Sequence, residues 1–302
     1  MFRRILAPVD GSAFSEQGLR YAAHAARSHG AELDLLFVHV RYAPVSAEMT
    51  IMDEIDEWEV QQKQQEAQYM EALAERLTRD HGVRARAHTV DGAVVTAVEW
   101  AVREWGSDLV VLTTHGRAGL ERAWLGSVAD SLLRHLEVPV LLIRPTEDGE
   151  EPDHMARVDY RHVVIALDGG DLAERALAPA VALAGPKASL TLLRVVTPPS
   201  SISSPYLPHA ARLTKQETER REAEARSYVD RVAERLTAEG QVADGVVVSG
   251  AHEAHAIMEY ARAENADLIA LTTHGRGPVK RLLMGSVTDK VVRAAEVPVL
   301  VC

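Results

Sequence analysis

The chain repeats itself. Leu112-Thr113-Thr114-His115-Gly116-Arg117 returns 159 positions later as Leu271-Thr272-Thr273-His274-Gly275-Arg276. The same shift carries Gly126-Ser127-Val128 onto Gly285-Ser286-Val287, Val138-Pro139-Val140-Leu141 onto Val297-Pro298-Val299-Leu300, and Ala74-Glu75-Arg76-Leu77-Thr78 onto Ala233-Glu234-Arg235-Leu236-Thr237. Near the start the shift is 158, taking Val9-Asp10-Gly11 onto Leu167-Asp168-Gly169. Matches this long and this regularly spaced mean a duplicated domain, so whatever one half folds into the other must fold into as well. The join is an acidic run with proline and glycine and no apolar period, Pro145-Thr146-Glu147-Asp148-Gly149-Glu150-Glu151-Pro152-Asp153, which reads as a linker. The expected division is a first domain over 1–145, a linker over 146–157 and a second domain over 158–302.

Within each half, short β-branched apolar runs alternate with longer helical patterns. Strands are expected near 2–9, 33–40, 83–90, 108–114 and 138–143, with helices near 13–29, 51–81, 93–105 and 127–136. In the second half the strands fall near 161–167, 188–196, 242–248, 267–273 and 297–301, and the helices near 172–184, 211–239, 253–264 and 286–295. Leu109-Val110-Val111-Leu112 and Leu268-Ile269-Ala270-Leu271 are apolar at every position, as a strand covered on both faces requires. Such alternation implies an α/β fold with a parallel sheet wound on both sides. The second helix of each half is rich in Glu, Gln, Lys and Arg, which reads as a solvated face.

Composition narrows the function. With 33 basic against 44 acidic side chains the 302-residue chain carries a net charge of −11, the wrong sign for gripping a phosphate backbone, so no nucleic-acid partner is expected. No apolar stretch is long enough to span a bilayer, and the first residues lack the apolar core and cleavage site of a signal peptide, so no membrane partner and a cytoplasmic location are expected. The single cysteine, Cys302, leaves no internal disulfide or cysteine metal cage to be made.

The chain holds no G-x-x-x-x-G-K-[ST], no strand-bound G-x-G-x-x-G, no G-x-S-x-G and no H-E-x-x-H. His252 and His255 have the spacing of a metal pair, but the first half has no counterpart, and no metal site is expected. In open parallel sheets ligands bind beyond the carboxyl ends of the strands, where the winding reverses. Two segments per half end strands. Asp10 and Asp168, each followed by glycine, could accept hydrogen bonds from a sugar or a base amine, or could simply be Asx-turn or N-cap aspartates. Thr113–Gly116, nine residues and then Gly126-Ser127, matched by Thr272–Gly275 and Gly285-Ser286, could present backbone N–H groups and a helix start to a phosphate. The opposing reading makes Ser127 with Asp130, and Ser286 with Asp289, capping boxes. Arg117 and Arg276 point to a phosphate or to water, and His115 and His274 to packing rather than to acid–base work, since no nucleophile stands beside them.

These residues resemble the universal stress protein family, whose ATP-binding members carry G-x2-G-x9-G-[ST] after the fourth strand and an aspartate after the first. The resemblance covers nearly all of both halves. It implies two tandem flavodoxin-like (Rossmann-like) domains, each a five-stranded parallel sheet of order 3-2-1-4-5 with helices on both faces. By that analogy Asp10 and Asp168, with Val40 and Val196 at the ends of the second strands, border an adenosine. Thr113, His115, Gly116, Arg117, Gly126 and Ser127, with Thr272, His274, Gly275, Arg276, Gly285 and Ser286, then belong to the site, the glycines and serines holding phosphates. The cofactor implied is ATP, escorted by Mg²⁺. The role implied is a nucleotide-dependent sensor or regulator in the stress response, without catalytic residues. The alternatives are a slow ATP hydrolase or adenylate-forming enzyme in the same pocket, or a nucleotide-free scaffold. The last strands, Val138–Ile143 and Val297–Val301, are expected to pair in a pseudo-twofold unit, with a homodimer as the other form of assembly and the protein partner unknown.

The chain departs from the family pattern where Thr113 and Thr272 stand at the motif's first glycine, and where Gly170 and Pro278 replace Ser12 and Gly119. The two sites are therefore expected to differ. Lys280 and Arg281, against Glu121 and Arg122, favour tighter phosphate binding in the second half. Gly126 is expected to serve the ligand's approach, with little effect on folding when replaced.

Overall fold

The wholly apolar runs Leu109–Leu112 and Leu268–Leu271 lie in central strands of parallel sheets. The computed structural model describes residues 1–40, 52–114, 125–145, 158–198, 210–273 and 284–302. It falls into two units, Met1–Val158 and Asp159–Cys302.

In the first unit the strands are β1 (Arg4–Val9), β2 (Glu32–His39), β3 (Arg84–Asp91), β4 (Leu109–Thr113) and β5 (Val140–Ile143). They lie in the order β3-β2-β1-β4-β5, all parallel. The helices are α1 (Ala13–Glu16), α2 (Leu19–His29), α3 (Met52–His81), α4 (Val94–Trp105) and α5 (Ser127–His135). Ile5, Leu6, Leu109 and Val110 are fully buried where β1 meets β4, because helices cover both faces of the sheet there. The long charged α3 is not solvated all round: Met70, Leu73, Ala74 and Leu77, at i, i+3, i+4 and i+7, form a buried stripe.

The second unit has the same plan. Its strands are β6 (His162–Ala166), β7 (Ser189–Val196), β8 (Val242–Ser249), β9 (Leu268–Leu271) and β10 (Val299–Val301), in the order β8-β7-β6-β9-β10, again all parallel. Its helices are α6 (Leu177–Ala184), α7 (Ala210–Ala238), α8 (Glu253–Ala263) and α9 (Ser286–Ala294). The buried stripe on α7 is Val229, Val232, Ala233 and Leu236, each 159 positions after its α3 counterpart.

The first helix of each half departs from the continuous pattern expected. In the first unit it breaks at Gln17-Gly18, and Gly18 lies against Thr113: a Cβ there would sit 3.3 Å from the Thr113 methyl carbon. In the second unit residues Ala173–Ala176 form a 3₁₀ turn before α6. Pro179 then falls in the first turn of α6, where its missing N–H does no harm.

The duplication also carries features with no motif to announce them. Asp108 accepts the backbone N–H groups of Arg3 and Arg4 at 2.9 and 3.1 Å, and Asp267 those of Arg161 and His162 at 2.8 and 2.9 Å. Each carboxylate ties the start of the first strand to the start of the fourth. On α1, Glu16 accepts from Tyr69 Oη (2.6 Å) and from Arg76 (2.7 Å), both on one face of α3. Glu174 accepts likewise from Tyr228 (3.2 Å) and Arg235 (2.6 Å) of α7.

At one buried position the units differ. Asp34, 2% exposed, faces His88 Nε2 at 2.8 Å and Arg4 Nε at 3.4 Å. Its counterpart Thr191 is equally buried and meets His162 Nε2 at 2.8 Å.

Candidate functional site

The first-strand aspartates come before everything else in each site. Asp10 follows β1, and its Oδ1 accepts the backbone N–H of Ser12 at 3.0 Å and the Ser12 hydroxyl at 2.6 Å. Ser12 in turn caps α1 by accepting from the Ser15 N–H at 3.1 Å. Asp168 accepts the Gly170 N–H at 2.8 Å. The Asx-turn reading is therefore correct for both, and both also line a crevice. One carboxylate shapes the turn and forms the wall.

The fourth strands bring the second segment alongside. Thr113 and Thr114 close β4, and the Gly126 N–H donates to the Thr114 carbonyl at 2.8 Å; Gly285 does the same to Thr273 at 2.7 Å. Glycine is required here by the backbone. A Cβ on Gly126 would lie 2.9 Å from the Thr114 oxygen, and one on Gly285 would lie 2.8 Å from the Thr273 oxygen. The expectation that Gly126 could be replaced with little effect on folding is thus corrected: the two backbones touch at this point.

The capping-box reading of the serines is also corrected. Gly126 is the N-cap of α5 and Gly285 that of α9, so the N-cap residue of each helix has no side chain to cap with, and Ser127 and Ser286 are the exposed first residues of the helices. Asp130, which a capping box would turn back to the helix start, instead takes the Arg134 guanidinium at 3.0 Å, and Asp289 takes Arg293 at 2.9 Å. The starts of both helices line the crevices, and their first turns carry N–H groups with no partner within the helix.

The crevice of the first unit has a volume of about 420 Å³ and opens at the carboxyl ends of β1, β2 and β4. Val9 and Asp10 come from β1, Phe37, Val38 and Val40 from β2 and beyond, Thr113 and Thr114 from β4, Val94 from the start of α4, and Gly126, Ser127 and Val128 from the start of α5. Two α3 side chains, Gln62 and Glu66, close the side. The Glu66 carboxylate is held by His39 Nδ1 at 2.8 Å; His39 is itself buried at the end of β2. The second unit has a crevice of equal volume, about 420 Å³, formed by Asp168, Leu193, Arg194, Val195, Glu253, Thr272, Thr273, Gly285, Ser286 and Thr288 among others.

Of the residues singled out in the sequence, Asp10, Val40, Thr113, Gly126 and Ser127 meet in the first crevice, and Asp168, Thr272, Gly285 and Ser286 in the second. Val196 is buried, and the neighbouring wall is made by Arg194 and Val195. His115, Gly116, Arg117, His274, Gly275 and Arg276 lie outside the described residues, as do Glu121, Arg122, Lys280 and Arg281. Sequence reasoning missed Phe37, Gln62, Glu66 and Val94 in the first unit, and Arg194 and Glu253 in the second. Glu66 was legible only through His39, a polar residue following the apolar run Leu35–Val38. Among the described residues no group of three or more His, Cys, Asp or Glu side chains could hold a metal ion, and no helix is long and apolar enough to cross a membrane.

A sequence profile described as the Universal stress protein family matches residues 1–144 and again residues 159–302. The chain belongs to this family. It is 28% identical to the universal stress protein Rv2005c of Mycobacterium tuberculosis, over 98% of this chain and 96% of that one. A universal stress protein of Archaeoglobus fulgidus has the same fold over 99% of this chain and 97% of its own, with a TM-score of 0.65 at 22% identity. Another solved universal stress protein, in complex with cAMP, covers 48% of this chain at 23% identity and a TM-score of 0.31. The tandem arrangement and the flavodoxin-like order of each sheet are accordingly those of a two-domain universal stress protein.

Proposed function

We propose that this universal stress protein binds an adenine nucleotide, ATP, in the crevice of its first unit and acts in the cytoplasm as a nucleotide-dependent regulator. The observation that carries this reading is the start of α5. A helix with glycine as its N-cap, its first residue exposed, opens onto an apolar chamber at the point where the sheet's winding reverses. An uncapped helix start suits phosphate oxygens, through N–H donors and the partial positive charge of the helix. Phe37, Val9, Val40, Val94 and Val128 suit the flat face of a base, and Asp10 lies between the two ends. Mg²⁺ would travel with the triphosphate and be held mainly by its oxygens and by water. Among the described residues the carboxylates lining this chamber are both engaged within the protein, Glu66 by His39 and Asp10 by Ser12, which favours a binding role over turnover.

The test is a variant that opposes phosphate without disturbing the fold. Ser127→Glu places a carboxylate at the first position of α5, where an acidic side chain favours the helix. Calorimetric titration of the full chain should show ATP affinity at the first site lowered at least tenfold, with an unchanged thermal midpoint. Unaltered ATP affinity in Ser127→Glu would overturn the assignment.

A further inference from the structure

Gln62 and Glu66 stand one turn apart on α3, and both side chains line the first crevice. Gln62 Nε2 donates to Glu66 Oε1 at 2.9 Å. The other carboxylate oxygen, Oε2, accepts from His39 Nδ1 at 2.8 Å, and His39 Nε2 lies 3.7 Å from Glu59 Oε1, so carboxylates of α3 stand on both sides of the buried ring. A carboxylate only accepts hydrogen bonds, which gives the Gln62 amide a single orientation, nitrogen toward Glu66 and oxygen away from it. The amide oxygen and one N–H are left without a partner among the described residues. The fold does not require this series of contacts. In the second unit Val196 stands at the position of His39, Ala225 at that of Glu66 and Arg221 at that of Gln62, and strand and helix pack without the histidine, the carboxylate or the amide. Arg221 turns to Glu217 on its own helix at 2.8 Å, and none of the three lines the second crevice. The rest of the wall has changed too, Phe37 and Val94 being matched by Arg194 and Glu253.

We propose that Gln62, held in one orientation by Glu66 and His39, reads the adenine base in the first crevice. This rests on the reading of that crevice as a nucleotide site. The sheet order puts β2 and β4 two strand spacings apart, about 10 Å. With phosphates at the start of α5, beyond β4, and the ribose at Asp10, after β1, the base falls beside β2 and α3, where Gln62 stands. Adenine presents an amine donor at N6 next to a ring-nitrogen acceptor at N7, the pair that a glutamine amide matches with its oxygen and its N–H. In hypoxanthine an oxygen replaces that amine, and the Gln62 oxygen then faces a second acceptor. A free amide escapes by turning over. This one is held, because turning it over sets its oxygen against the Glu66 carboxylate and loses their hydrogen bond. Gln62 is thus the residue that touches the base, and Glu66 and His39 are positioning residues that act through it.

The experiment titrates ATP and inosine triphosphate, each with Mg²⁺, into the full chain carrying Ser286→Glu, which opposes phosphate in the second crevice. Gln62→Met, or His39→Val together with Glu66→Ala, is then added to that chain, and thermal midpoints are measured for each. The starting chain should bind ATP roughly tenfold more tightly than inosine triphosphate. Gln62→Met should remove that preference by weakening ATP, leaving inosine triphosphate within about twofold and the thermal midpoint unchanged, since Gln62 is partly exposed. His39→Val with Glu66→Ala copies a pair that the second unit packs, and it frees the amide to turn over, so the preference should fall to about twofold or less. A purely structural role for His39 and Glu66 would weaken both nucleotides alike and leave their ratio where it was. Equal affinity for the two nucleotides in the starting chain, or a ratio that neither change moves, overturns the proposal while leaving the crevice a nucleotide site. If neither nucleotide binds, the nucleotide reading falls with it.

Discussion

The two units share their turns, their helix starts and their clasps, yet part company in the chamber above them. Gly126 and Gly285 stand under the same carbonyl, Asp10 and Asp168 fold the same turn, and Glu16 and Glu174 hold the same Tyr and Arg pair. Phe37 and Arg194, Val94 and Glu253, and Asp34 and Thr191 do not match in character. The difference teaches which demands are mechanical. Where one backbone touches another, only glycine fits, whatever the ligand. Where a side chain faces an open crevice, size and charge are free to change without cost to the sheet beneath. At Asp34 and Thr191 even a buried position has diverged, because each polar group brought its own hydrogen-bonding partner.

The comparison can be broken most forcefully at the shared glycines. Gly126→Val and Gly285→Val should each destabilise their unit by about 3 kcal/mol, since a new side chain must push two backbone segments apart. Thermal or denaturant unfolding should register similar losses for both; a large loss in only one would show that the two contacts are not equivalent. Next in size is the buried polar position. Asp34→Ala removes the carboxylate between Arg4 and His88 and should destabilise by about 2 kcal/mol, less than a fully buried pair would because both partners are partly exposed. Thr191→Ala removes the hydroxyl that His162 and Tyr260 share and should lose about 1 kcal/mol. Equal losses would mean that the charge at Asp34 adds nothing.

The smallest effect concerns alkaline pH. Burial, and then the neighbouring Glu16 carboxylate, push the Tyr69 hydroxyl well above its ordinary value of 10.0, and the same causes act on Tyr228 with Glu174. A hydroxyl that ionises less readily folded than unfolded contributes a stability that is whole below pH 10 and declines as pH rises beyond it. Stability should therefore fall above about pH 10. Tyr69→Phe should flatten that decline more than Tyr228→Phe, because Tyr69 is the more deeply buried. Identical profiles for the two variants would indicate clasps of equal strength.

The sequence by itself determined the duplication, the strand and helix alternation and the ends of strands where a ligand would sit. These are local or periodic signals: an apolar run such as Leu109–Leu112 announces a covered strand, and the repeat doubles every such signal. It also placed Asp10, Gly126 and Ser127 at one site through their resemblance to a family, while missing the backbone cause for Gly126 and leaving open what caps α5. Tertiary structure alone decided those causes. That Gly126 lies beneath the Thr114 carbonyl, that Asp130 turns to Arg134, and that Glu16 meets Tyr69 and Arg76 across 53 and 60 residues are facts of packing between segments distant in the chain. The chamber's chemistry was hidden for the same reason. Phe37 and Val94, like Arg194 and Glu253, belong to elements whose periodicity tells which face is apolar, while only the fold tells which of those faces meet around a ligand.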